Sequence, residues 1–167
     1  GSVATLAVAA SDNIAAIGDE LIDNPRIKGI SFTGSTPVGR MIAARAGAHL
    51  KKACVELGGK DSLIVCDDAD MDRATQAANF GSFMHQGQIC MSVEKVLVHE
   101  KIFDEFLKCF VERAGKLKVG DPTKSKEHVI GPLINDKQTA KVKEQLQDAI
   151  AKGAKVVLGG KIDGRFV

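Results

Sequence analysis

Lys28 to Gly39 reads KGISFTGSTPVG, an apolar run of strand length that breaks at Gly34-Ser35 and passes straight into a helix start. Ile30 and Phe32 alternate with polar neighbours, as on a half-covered strand. Past the break, Thr36 is placed to cap a helix whose first residue is Pro37, where a missing N–H costs nothing. The apolar face of that helix runs Val38, Met41, Ile42, Ala46. A strand feeding a helix through a Gly-Ser turn is the repeating unit of an α/β fold with a parallel sheet.

The same alternation continues on both sides. Upstream, Thr5 to Ala10 (TLAVAA) reads as a strand, and Ile14 to Asp23 as a helix ended by Asn24-Pro25, completing a βαβ unit with Lys28–Thr33. Downstream, Ala53 to Leu57 and Ser62 to Cys66 are strand-length runs separated by Gly58-Gly59-Lys60-Asp61. A helix starting near Asp70 carries Met71, Ala74 and Ala78 in register. A polar loop, His85 to Cys90, then leads to a strand at Lys95–Val98. Ile102, Phe103, Phe106, Leu107, Phe110 and Val111 mark an amphipathic helix, and Val142, Leu146, Ala149 and Ile150 mark another, with Asn135 and Gln138 at its start. Gly153 ends that helix, and Lys155 to Leu158 (KVVL) reads as a further strand. The fold class is α/β.

Composition narrows the partners. The 167 residues carry 23 basic and 21 acidic side chains, a net charge of +2, evenly mixed along the chain. That balance fits neither a nucleic-acid footprint nor a membrane-surface patch and points to a small-molecule ligand. No apolar run reaches the ~20 residues that span a bilayer, and no leader-like N-terminal segment is present, so the expected location is the cytoplasm. The four cysteines, Cys54, Cys66, Cys90 and Cys109, lack metal-ligand spacing, and no metal site is expected. Cys54, Cys66 and Cys109 fall in apolar patterns that predict core packing.

Three places could carry chemistry. Gly34-Ser35 precedes a helix N-terminus, where backbone N–H groups face an anion, although a Gly-Ser-Thr-Pro turn is also an ordinary helix start. The run Gly34 through Gly39 approaches a P-loop, but Arg40-Met41 replaces its Lys and Ser/Thr. Glu56 closes an apolar, buried-looking strand, the setting of a general base or of a lysine-paired carboxylate. Cys90 has small or polar neighbours at Gln86, Gly87, Gln88 and Ser92, which suits a reachable thiol. It reads as a nucleophile or an unreactive loop cysteine, with His85 as the base of a cysteine hydrolase in a third reading.

Taken together, FTGSTPVG (Phe32–Gly39), VELGGK (Val55–Lys60) and GQICMS (Gly87–Ser92) resemble, in order, the three signature segments of the aldehyde dehydrogenase superfamily. The separation of 34 residues from Glu56 to Cys90 matches that pattern, and the similarity runs on through Asp67–Asp72 and Gly131-Pro132-Leu133. The wording around Cys90 is most similar to the branch containing benzaldehyde, salicylaldehyde and vanillin dehydrogenases.

The resemblance implies an aldehyde dehydrogenase-like fold. Residues 1–57 would be the C-terminal part of an NAD(P)-binding domain, and residues 58–167 the first part of the cysteine-bearing catalytic domain. It implies oxidation of an aldehyde to a carboxylic acid with NAD or NADP, through a thiohemiacetal and a thioester on Cys90, with Glu56 as the base. The oxyanion would be held by the Cys90 N–H and by an asparagine from a segment preceding this chain. Cofactor contacts would come from Gly34, Ser35, Gly39, Leu57 and Gly58, and Ile89 and Met91 would flank the substrate. Relatives of this kind are longer and homo-oligomeric, so the chain reads as a central fragment. A non-catalytic structural module and a nicotinamide-independent thioesterase are the competing readings.

Overall fold

A computed structural model describes residues 14–167. The chain divides into two compact units, Gly1–Gly58 and Gly59–Val167. The strand expected over Thr5–Ala10 lies outside the described residues.

In the first unit, helix α1 (Ile14–Asp23) precedes strand β1 (Gly29–Thr33), helix α2 (Thr36–Ala48) and strand β2 (Lys52–Glu56). β1 and β2 pair in parallel, Ile30 beside Ala53 and Thr33 beside Glu56, so α2 is the crossover of a βαβ unit. α2 buries Gly39, Ile42 and Ala46, while Val38 and Met41 on the same expected stripe remain exposed. Gly39 permits the close approach of helix to strand, because a β-carbon there would come 2.5 Å from Leu57 Cδ2. Arg45 ties α2 to α1 through Asp19 and, at 2.6 Å, Asp23. Its hydrogen bond is the main reason the Asp23 carboxyl titrates below its ordinary value.

Two expectations are corrected in this unit. The N-cap of α2 is Ser35, with Thr36 already helical and Pro37 inside the first turn, where its missing N–H is tolerated. Cys54 and Glu56 are exposed instead of buried. The reason is coverage: Ile30, Phe32 and Val55 are partly buried on one face of the β1–β2 pair, while Ser31, Thr33, Cys54 and Glu56 alternate onto a face that no described element covers.

The second unit repeats the theme. Strand β3 (Asp61–Val65), helix α3 (Met71–Phe83) and strand β4 (Val93–Val98) form a second parallel βαβ unit, followed by helix α4 (Phe103–Ala114). Short strands β5 (Lys118–Val119) and β6 (His128–Ile130) pair in parallel, and helix α5 (Asp136–Ala151) follows. The N-cap residues of α3 and α5 are Asp70 and Asn135, whose side chains accept from the N–H groups of Arg73 and Gln138. Past α5, Gly153 adopts φ +94°, the left-handed stop that glycine permits.

The core of this unit is Val65, Ala78 and Phe106, surrounded by Leu63, Ala74, Val96, Val98 and Phe110. Phe106 stacks on Phe110 at 5.9 Å, and Phe110 on Phe83 at 6.1 Å, locking α3 to α4. Asn79 adds two hydrogen bonds, from Nδ2 to the carbonyls of Thr75 (3.0 Å) and Phe110 (3.3 Å). Cys66, expected in the core, is exposed just past the end of β3, and Cys109 on α4 is half-buried. Lys155–Leu158 forms no strand and is exposed, since an extended segment becomes a strand only by pairing and none of the described strands pairs with it.

Gly81 lies in α3 where a β-carbon would sit 2.6 Å from Val93 Cγ2 and 3.3 Å from Val93 Cβ. Val93 is β-branched and stiff, so it has little room to yield. Gly81→Ala gains helix propensity of about 1 kcal/mol, but overpacking of about 1–3 kcal/mol outweighs it. We expect a net loss of stability, read as a lowered urea midpoint; a raised midpoint would show that Val93 gives way.

Candidate active site

The anion-facing turn forms at the carboxyl ends of β1 and β2, the usual ligand edge of a parallel sheet. The Gly34 N–H donates to the Glu56 carbonyl at 3.0 Å, which puts the Gly34-Ser35 turn beside the end of β2. Ser35 has extended backbone dihedrals, and its side chain makes no capping hydrogen bond. The first turn of α2 contains no acidic residue to compete for an anion. Gly34 has no β-carbon, and one placed there would meet the Phe32 ring at 2.5 Å. An uncapped Ser35 side chain and a first turn without acidic residues suit a pyrophosphate, so the residues present fit the phosphate end of a dinucleotide. Leu57 is partly buried and Gly58 exposed immediately after β2. Gly39, grouped with these from the sequence, is buried against Leu57.

Cys90 belongs to the second unit. α3 ends in a short helical turn, Met84–Gly87, in which His85 (φ 49°), Gln86 (φ 59°) and Gly87 (φ 69°) are all left-handed. For His85 and Gln86, which carry β-carbons, this conformation costs about 1–2 kcal/mol each. Such strain persists only where neighbours enforce it, and it concentrates at functional sites. The chain then makes a tight turn closed by Ser92 N–H to the Ile89 carbonyl at 3.0 Å, with Cys90 and Met91 at its apex. Cys90 is exposed, Ile89 half-buried, and Met91 74% exposed. The turn leads directly into β4, whose Val93 pairs with Asp61 at the start of β3.

The Cys90 N–H donates to no protein acceptor among the described residues, which leaves it available to a developing oxyanion. No hydrogen bond joins His85 to Cys90 among the described residues, so the pair expected of a cysteine–histidine hydrolase is not formed. A groove of about 980 Å³ between α3, α4 and β6 is lined by Phe80, Phe83, Met84 and Val129, and excludes Cys90. No group of three or more metal-ligating side chains occurs among the described residues.

Ser92 is 3% exposed and its hydroxyl has no partner among the described residues. A buried unsatisfied hydroxyl costs about 1–3 kcal/mol. Ser92→Ala is therefore expected to stabilise the protein, by up to about 1 kcal/mol in denaturant titration; a loss of that size would instead reveal a partner for the hydroxyl.

The sequence-derived site residues thus form two groups. Gly34, Ser35, Gly39, Glu56, Leu57 and Gly58 belong to the first unit, and Ile89, Cys90 and Met91 to the second. Gln86 and Gln88, which bond to the N–H groups of Gly131 and Ile134, were not read as site residues, because what marks them is a hydrogen bond to a distant segment.

The model of the aldehyde dehydrogenase family matches residues 7–167. The chain belongs to the aldehyde dehydrogenase family. It is 50% identical over 151 residues to a salicylaldehyde dehydrogenase of Pseudomonas putida, covering 90% of this chain and 31% of that protein. It is 46% identical to a benzaldehyde dehydrogenase of Bacillus subtilis, covering 93% and 32%. Among solved structures, a salicylaldehyde dehydrogenase from Pseudomonas putida G7 complexed with salicylaldehyde superposes with a TM-score of 0.89 at 49% identity, over 94% of this chain and 32% of that one. An NAD-dependent benzaldehyde dehydrogenase from Corynebacterium glutamicum gives a TM-score of 0.82 at 45% identity, over 92% and 33%. The aldehyde dehydrogenase fold expected from the sequence is confirmed. This chain spans about a third of the length of these relatives.

Proposed function

We propose that the protein oxidises an aldehyde, with an aromatic aldehyde as substrate, to the carboxylic acid, using Cys90 as nucleophile and Glu56 as base. The reading rests chiefly on the exposed Cys90 at the apex of a tight turn that follows three left-handed residues, with its N–H unbonded among the described residues, in a chain of this family. Relatives named for salicylaldehyde and benzaldehyde support the aromatic class.

Cys90 gives up its thiol proton to solvent water, and the thiolate sulfur bonds to the aldehyde carbon, shifting the carbonyl electron pair onto oxygen. The Cys90 N–H stabilises that oxyanion. A bound NAD or NADP would supply the acceptor for the hydride of the tetrahedral carbon, which would leave a thioester on Cys90. Glu56 takes a proton from water, the resulting hydroxide adds to the thioester carbon, and the Cys90 sulfur departs as thiolate with release of the acid. Gly34 and Ser35 would hold the cofactor pyrophosphate, and the main chain at Leu57-Gly58 would contribute to the nicotinamide end. Ile89 and Met91 flank the substrate. In this scheme residues 1–57 complete the cofactor-binding domain and residues 58–167 open the catalytic domain.

The direct test is reduced-nicotinamide absorbance of the native protein with benzaldehyde or acetaldehyde, and with NAD or NADP. A preference for benzaldehyde of at least about tenfold in kcat/KM is expected. Thioester hydrolysis with no nicotinamide reduction would replace the dehydrogenase with a hydrolase.

A further inference from the structure

The three left-handed residues before Cys90 need something to hold them, and the structure supplies it from a segment more than forty residues further along the chain. With its amide oriented to satisfy both neighbours, the Gln86 side chain accepts from Gly131 N–H at 2.8 Å and donates to the His85 carbonyl at 3.0 Å. The Gln88 Oε1 accepts from Ile134 N–H at 2.9 Å. Both glutamines thus grip one segment, Gly131-Pro132-Leu133-Ile134, from positions on either side of Gly87.

That segment is a firm anchor. Gly131 and Leu133 are buried, and Pro132 fixes its own φ. It is held on another side as well, by Leu133 N–H to the Arg165 carbonyl at 2.8 Å and the Arg165 guanidinium to the Ile134 carbonyl at 3.1 Å. Gly131 has no spare room, since a β-carbon there would lie 3.2 Å from the Gln86 amide. Besides its own backbone bonds, Gln88 N–H to the His85 carbonyl and Ser92 N–H to the Ile89 carbonyl, both at 3.0 Å, the exposed cysteine turn has these two side-chain bonds to a remote segment.

We infer that Gln86 and Gln88 are positioning residues that latch the Cys90 turn to the Gly131–Ile134 segment and so set where the thiol and its N–H point. The inference builds on the reading of Cys90 as nucleophile. A thiol displaced by about 1 Å in a reacting complex loses on the order of 10²-fold in rate while substrate binding changes little.

The test is made on the native protein with the double variant Gln86→Leu/Gln88→Leu. The comparison variant Gln86→Glu/Gln88→Glu keeps an oxygen acceptor at both positions. Hydrogen exchange by mass spectrometry is followed over residues 88–92, with α4 as the internal reference. In the leucine variant, exchange over 88–92 is expected to rise about tenfold with α4 unchanged, and the glutamate variant, which keeps both acceptors but loses the Gln86 donor bond to the His85 carbonyl, is expected to restore part of the protection. Turnover of the leucine variant is expected to fall on the order of 10²-fold in kcat with KM within about threefold. Gly131→Ala, which crowds Gln86 without touching Cys90, is expected to shift exchange and kcat in the same direction. Unchanged exchange over 88–92, or an equal rise in α4, would overturn the latch. Full turnover in Cys90→Ala would overturn the nucleophile reading instead, while the exchange result would still report on the latch.

Discussion

Cys90→Ala is expected to reduce aldehyde-dependent nicotinamide reduction by at least about 10⁴-fold, since no other group can replace the covalent step. The fold should survive, because the side chain is exposed at the apex of a turn and contributes nothing to the core. The other cysteines provide controls: Cys54 and Cys66 are also exposed, but each sits at or beside a strand and outside the Ile89–Ser92 turn, and alanine at either should leave turnover within about twofold. Glu56→Gln separates the two half-reactions. It should leave the first turnover, a burst of reduced nicotinamide, and slow thioester hydrolysis by roughly 10²–10⁴-fold. Residual steady-state turnover of Cys90→Ala within tenfold of the parent would remove the cysteine mechanism, and a Glu56→Gln variant with no burst would move Glu56 to the first step.

The largest effect on stability is expected at Phe106. It is 3% exposed, belongs to the Val65–Ala78–Phe106 core, and stacks on Phe110, which in turn stacks on Phe83 at the end of α3. Phe106→Ala removes the ring and leaves a cavity between α4 and the β3–β4 pair, at a cost of about 3–5 kcal/mol. That is a large part of the roughly 5–15 kcal/mol by which a domain of ordinary size is stable. The urea midpoint of the second unit should fall accordingly, and the Cys90 turn, which follows α3 directly, should lose protection with it. A loss under about 1 kcal/mol would mean that neighbouring side chains refill the site.

Surface ion pairs matter far less by comparison. Lys60–Glu94, Lys118–Glu127 and the other pairs join well-exposed side chains, where salt and water screen them. The Arg45 pairs with Asp19 and Asp23 are the nearest to a network, and they orient α1 on α2 more than they stabilise it.

Much of this architecture was legible from residue pattern. The extents of α1 and β1, the start of α3 and the apolar stripe of α4 follow from local periodicity and stop signals: Asn24-Pro25 after α1, Asp70 before α3, and the phenylalanines along α4. β5 and β6 were not legible, because strands of two and three residues have too few positions to show a period. The site was legible as motifs but not as machinery. Phe32–Gly39, Val55–Lys60 and Gly87–Ser92 pointed to the family, yet nothing in them announced that His85 and Gln86 turn left-handed or what holds them there.

The sequence alone determined what depends on neighbours a few residues apart: helix and strand type, the parallel order of the βαβ units, and the reach of the Cys90 thiol from a polar loop. Only the tertiary structure decided what depends on coverage and on distant partners. Cys54 and Glu56 look buried from their apolar neighbours but face a side of the β1–β2 pair that no described element covers. The cap of α2 moved to Ser35 through the geometry of the turn. The Gln88–Ile134 bond links residues 46 apart in the chain. Periodicity and capping act through covalent connection over one or two turns, whereas burial and long-range hydrogen bonds exist only once the folded chain has brought remote segments together.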